Sequence, residues 1–103
     1  MRKRGFIYIL TCKNHTVLYV GVTSNLQLRM EQHKAGKYKT SFTHRYNVNQ
    51  LVYFEEFSSI VDAIAREKQI KAGSRQKKID LINSMNPEWQ DLTGDLPGYK
   101  SFS

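Results

Sequence analysis

Tyr8, Tyr19, Arg29, His33 and Glu67 are the side chains of this sequence whose types and placement invite a chemical reading. A phenol can orient a water or take its proton when a nearby cation favours the phenolate, whereas an imidazole titrates near neutrality unaided. A guanidinium stays charged and can grip two anionic oxygens at once. Glu67 is the anomaly. It falls within an apolar helical stripe, where an ionised carboxylate is costly unless a cation, or Lys71 one turn further on, answers its charge.

These residues need a scaffold to meet on. Phe6-Ile7-Tyr8-Ile9-Leu10 and Val17-Leu18-Tyr19-Val20-Gly21-Val22 are β-branched and aromatic, and the polar Lys13-Asn14-His15 lies between them. They predict an antiparallel hairpin. A two-residue loop at Lys13-Asn14 sets Tyr8 directly opposite Tyr19, and a four-residue loop makes them diagonal neighbours. Both loops put the two rings on one face, and only a three- or five-residue loop would send them to opposite faces, because side chains alternate along a strand.

The spacing of Ser24 and Gln27 predicts a capping box opening a helix that stops at Gly36, with Leu26 and Met30 inward and Arg29 and His33 along one edge. Leu51 to Phe57 reads as a third strand. A second helix is expected from Ser59 to Gly73, with Ile60, Ala63 and Ile64 as its apolar stripe and Glu67 at the stripe's centre. A third should run from a Ser74 cap to about Asn86, before Pro87, burying Ile79 and Ile82. Trp89 and Leu92 are expected to fold back on the core. The fold class is therefore α/β (α+β), a small three-stranded, mainly antiparallel sheet with three flanking helices. Residues 1–92 form one domain in this reading, and 93–103, with Gly94, Pro97 and Gly98, a loosely held tail.

The chain has 103 residues, with 16 Lys and Arg against 9 Asp and Glu, a formal charge of +7. That balance favours a polyanionic partner, nucleic acid first. Between the first helix and the third strand, Lys37, Lys39 and Arg45 are interleaved with Tyr38, Phe42 and Tyr46. Basic groups can hold phosphates and rings can stack on bases, so this loop is a candidate contact surface; the alternative is a long connection whose rings pack inward. Cys12 is the single cysteine, which excludes an internal disulfide and a cysteine-based zinc site and fits a reducing cytoplasm. The basic Arg2-Lys3-Arg4 before Phe6 to Leu10 imitates a secretion signal, but the apolar run is short and lacks a small-residue cleavage site. No apolar run approaches the ~20 residues that cross a bilayer, so no membrane association is expected.

Phe6-Ile7-Tyr8, ten intervening residues, then Tyr19-Val20-Gly21 resembles the signature of the GIY-YIG nuclease superfamily, with Phe for the first Gly and Val for the second Ile. The likeness continues through Arg29, His33 and Glu67, covers roughly residues 5 to 90, and is strongest to the small stand-alone bacterial members. The resemblance implies a metal-dependent DNA endonuclease, of use in DNA repair or recombination. Glu67 would then bind a single Mg²⁺ or Mn²⁺, a hard ion for which one carboxylate plus waters and substrate oxygens suffices. Arg29 would contact the scissile phosphate, Tyr8 or Tyr19 would orient or deprotonate the attacking water, and Lys71 would join Lys37, Lys39 and Arg45 in holding DNA.

Family members often place an asparagine near the metal, and here Asn83 and Asn86 both qualify. Gly21 is retained and suits close backbone packing. Repair-type relatives carry a lysine where this chain has Val22 and a third tyrosine where it has His33. That departure makes His33 a candidate base or proton relay, with Tyr19 positioning the water. A nucleic-acid-binding module with negligible turnover is the second function class, DNA is the expected polymer with RNA left open, and a monomer is expected. In a third reading the tyrosines and Glu67 are satisfied core groups.

Overall fold

The computed structural model describes residues 3–35 and 46–97. Strand β1 (Gly5–Thr11) lies between β2 (Leu18–Thr23) and β3 (Gln50–Phe57), antiparallel to both, giving the order β2-β1-β3. Helices α1 (Leu26–Lys34), α2 (Ile60–Ala72) and α3 (Arg75–Met85) follow in the expected order, and a 3₁₀ turn spans Leu92–Asp95. The fold class is the one the sequence predicts.

Alternation along the central strand splits the core into two layers. Ile7 and Ile9 pack with Val20, Val52, Tyr53, Ala63, Ile70 and Ile82, beneath α2 and α3. Tyr8 and Leu10 pack on the opposite face with Leu26 and Met30 of α1, Val48, Leu51 and Leu96. A β-bulge between Ile9 and Leu10 opposite β3 lets neighbouring Val52 and Tyr53 share one layer while Leu51 and Phe54 serve the other. Gly5 permits α2 to close on the sheet, since a Cβ there would lie 2.6 Å from the Ala63 Cβ.

Several boundaries differ from expectation. The cap of α1 is Asn25 rather than Ser24; its side chain accepts from Leu28 N at 3.0 Å, while its own N–H bonds the Thr23 hydroxyl. Gly36, the expected stop, lies outside the described residues. Ser59 and Ser74 cap α2 and α3 as expected. Ile64, expected inward, is 38% exposed, because the buried stripe of α2 runs through Ala63, Glu67 and Ile70. The stretch 93–97 is not loose. Thr93 and Leu96 are buried, and Gln27 of α1 donates to the Pro97 carbonyl at 2.6 Å. Residues 98–103 lie outside the described chain.

Candidate active site

Tyr8 occupies the middle of the middle strand and is fully buried. The register pairs Tyr8 with Gly21 and Leu10 with Tyr19, so the tyrosines are the diagonal neighbours that the four-residue loop implies. Their ring centroids are 6.4 Å apart at 41°. Gly21 is what admits the buried ring: a Cβ there would fall 2.4 Å from the Tyr8 hydroxyl.

Helix α1 lies over this face because Leu26 and Met30 are completely buried against it. One edge of the helix therefore overhangs Tyr8. Arg29 Nη1 donates to the Tyr8 hydroxyl at 3.4 Å, and the His33 ring stands edge-on to Tyr8 at 6.4 Å and 66°. Burial, and secondarily the Arg29 charge, pull the His33 pKa from 6.5 down to about 4, so the imidazole is neutral at pH 7. The near-neutral titration expected from its type does not hold in this environment.

Tyr19 differs from Tyr8 in being only partly buried. With Leu18, Val20, Lys71 and Lys78 it lines a cleft of about 370 Å³ along the β2 edge of the sheet. Tyr19 is thus the accessible tyrosine of the pair, and Tyr8 the buried one.

Glu67 lies in the other layer. It sits on α2 between the buried Ala63 and Ile70, its side chain 14% exposed, and its Oε2 is 3.2 Å from Lys71 Nζ. The ion pair weighed from sequence is therefore formed. Tyr8, Tyr19, Arg29 and His33 gather on one sheet face. Glu67 does not share it; its ion-pair partner Lys71 lines the same cleft as Tyr19. Among the described residues no three His, Cys, Asp or Glu side chains cluster as a metal site. A cation here would depend on a single protein carboxylate.

Asn83 and Asn86 both make hydrogen bonds within the fold. Asn86 is buried and donates to Val52 O at 3.2 Å and Gln90 O at 2.7 Å, while its own carbonyl accepts from Gln90 N. Asn83 accepts from the Trp89 indole at 2.7 Å. Both tether the chain after α3, Asn86 to the strand remote from β2. Glu55 and Glu56 are also engaged, Glu55 by a fork from Arg66 and by the Tyr53 hydroxyl, Glu56 by Arg4 at 2.8 Å.

Lys37, Lys39 and Arg45 lie outside the described residues, and Tyr46 at the end of that loop is 49% exposed rather than packed inward. Lys78 went unremarked as a site residue in the sequence, where it belongs to an ordinary basic helix face. Its Nζ donates to Gly73 O at 2.8 Å, which draws the side chain across the α2–α3 junction toward the Tyr19 cleft. No period in the sequence signals that.

A family profile described as the GIY-YIG catalytic domain matches residues 4–80. The chain is 39% identical over 85 residues to a UPF0213 protein of Syntrophus aciditrophicus, covering 82% of this chain and 95% of that one. It is 42% identical over 79 residues to UPF0213 protein SH2523 of Staphylococcus haemolyticus, covering 77% and 94%. The solution NMR structure of the UPF0213 protein BH0048 from Bacillus halodurans superposes with a TM-score of 0.55 at 29% identity, covering 87% of this chain and 94% of that one. Among the described residues no helix is long and apolar enough to cross a membrane.

Proposed function

Because the chain belongs to the GIY-YIG catalytic-domain family, we propose that it is a metal-dependent DNA endonuclease acting on repair or recombination intermediates. The observation that carries this reading is the cluster around Tyr8: a guanidinium on its hydroxyl, with the Tyr19 and His33 rings each 6.4 Å from its own. Arg29 has the charge and fork to bind the scissile phosphate, with Tyr8 fixing its direction from below. Tyr19, on the accessible side, orients the attacking water.

His33 is neutral and so able to accept a proton, though weakly at a pKa of about 4. A phosphate drawn to Arg29 offsets the positive charge that helps depress this pKa, and strengthens His33 as an acceptor only once substrate is present. Lys71 and Lys78 offer the departing or flanking phosphates positive charge along the same cleft.

Glu67 is the residue that would hold Mg²⁺ or Mn²⁺. The fit rests on the hard oxygen donors of a mostly covered side chain that already carries a cationic partner. One such ligand suffices for a hard ion that retains waters, and the ion supplies charge neutralisation at the phosphoryl group. The decisive experiment incubates the protein with branched, nicked, single-stranded and duplex DNA, and with RNA, with and without either metal. Metal-dependent cleavage by the parent and its loss in Glu67→Gln support the reading. Binding without cleavage under all conditions favours the alternative, a binding module whose carboxylate is permanently neutralised by Lys71.

A further inference from the structure

Glu55 of β3 and Glu67 of α2 are neutralised in different ways. Glu55 receives a planar fork, with Arg66 Nε at 3.1 Å and Nη2 at 3.1 Å, and a phenol hydroxyl besides. Such a pair is closed, since the guanidinium satisfies both oxygens in a fixed geometry. Among the described residues Glu67 receives the point charge of an amine at 3.2 Å, on a flexible stem one helical turn away. The Glu67 side chain is 14% exposed and the Lys71 side chain 51%. The Glu67 side chain is therefore mostly covered, on the helix face that carries Ala63 and Ile70, while Lys71 is half exposed and lines the Tyr19 cleft.

We propose that Lys71 is a built-in, exchangeable counter-cation that competes with the divalent metal for Glu67. The inference rests on the assignment of Glu67 as the metal ligand and adds to it a residue that sets the metal's affinity. Without metal, the ammonium removes the cost of a lone carboxylate in an apolar stripe, and the domain folds with its site in place. When the metal arrives, the ammonium must move off. Its half-exposed stem permits this, and the metal's net affinity is reduced by whatever the displaced pair contributed.

Mn²⁺ titration of the full-length, metal-free protein tests this, with free Mn²⁺ read by its paramagnetic resonance signal and folding checked by melting temperature. A pair of this exposure contributes little, so Lys71→Met should bind Mn²⁺ roughly two- to fivefold more tightly than the parent. Lys71→Arg, which keeps the charge, should bind no more tightly than the parent, and Glu67→Gln should lose binding. Lys71→Met binding equal to or weaker than the parent, with Glu67→Gln still losing binding, overturns the exchange and leaves Glu67 as ligand. Glu67→Gln binding as well as the parent removes Glu67 from the metal site, and the exchange falls with it. Should the parent show no binding, its appearance in Lys71→Met supports the competition, and its absence in every variant overturns both assignments.

Discussion

A methyl group on residue 21 would lie 2.4 Å from both Cζ and the hydroxyl of Tyr8, its partner across the hairpin. Tyr8 is fully buried and has no room to retreat, so Gly21 sets where its hydroxyl meets Arg29. Gly21→Ala should destabilise the protein by about 1–3 kcal/mol, the usual cost of overpacking a tight site. Replacing the ring as well, in Tyr8→Leu/Gly21→Ala, should recover part of that loss. A double-mutant cycle measured by urea unfolding reads the coupling. Strictly additive losses would show that the ring and the glycine do not constrain each other.

His33 gives the protein a stability slope in mild acid. Its folded pKa of about 4 lies below the ordinary 6.5. Above 6.5 neither the folded nor the unfolded state holds the proton, and the residue contributes no slope. As pH falls from 6.5 toward 4 the unfolded chain protonates and the folded one does not, so stability declines; below about 4 both are protonated and the decline ends. His33→Gln should flatten this window in urea-unfolding midpoints. Nuclear magnetic resonance titration of the imidazole should in addition show an upward shift when DNA is bound in metal-free buffer. An unshifted titration would remove the phosphate from the neighbourhood of Arg29 and His33.

What the sequence discloses about this site follows from periodicity. Alternation places Tyr8 and Tyr19 on one sheet face, and helical spacing places Arg29 and His33 beside Leu26 and Met30. Glu67 stands out because it interrupts an apolar stripe. The layer from which Glu67 approaches was not legible, since the side of the sheet taken by each helix depends on how connections cross it and not on any local pattern. The β3 bulge at Val52 and the packing of Leu96 were hidden for a similar reason. Val52-Tyr53 reads as ordinary alternation until β1 fixes the register, and a Gly- and Pro-containing stretch reads as loose until Asp91 and Gln27 are seen to fasten it. The asparagines illustrate the converse. Their helical position could not distinguish a metal neighbour from a strut.

Asn86→Ala should therefore act on stability. It leaves the Val52 and Gln90 carbonyls without their amide donor in a buried setting, which costs about 1–3 kcal/mol. Asn83→Ala breaks one exposed bond to Trp89 and should cost well under that. Neither should change Mn²⁺ affinity at temperatures where the variant is folded. Loss of metal binding by folded Asn86→Ala would return it to the site.

Asp91 fastens the helix that carries Arg29 and His33. One carboxylate oxygen is 2.5 Å from Lys34 Nζ in the last turn of α1; the other accepts from Leu51 N of β3 at 3.2 Å and from the Thr93 hydroxyl at 2.6 Å. Burial by itself would raise the Asp91 pKa, but the hydrogen bonds from Lys34 and Thr93 outweigh it and hold the group below its ordinary 3.8. The stability it contributes is therefore present above 3.8 and lost as pH falls through the lowered folded value, a window beneath that of His33. Asp91→Asn keeps an oxygen for the backbone and discards the charge, so it should cost about 1–2 kcal/mol and abolish this acid-limb slope. Because Lys34 follows His33 directly, releasing it should let the end of α1 move relative to Tyr8, seen as faster amide exchange there and reduced cleavage while the protein is still folded. Normal exchange and normal cleavage in Asp91→Asn would mean that Leu26 and Met30 alone hold α1 in place.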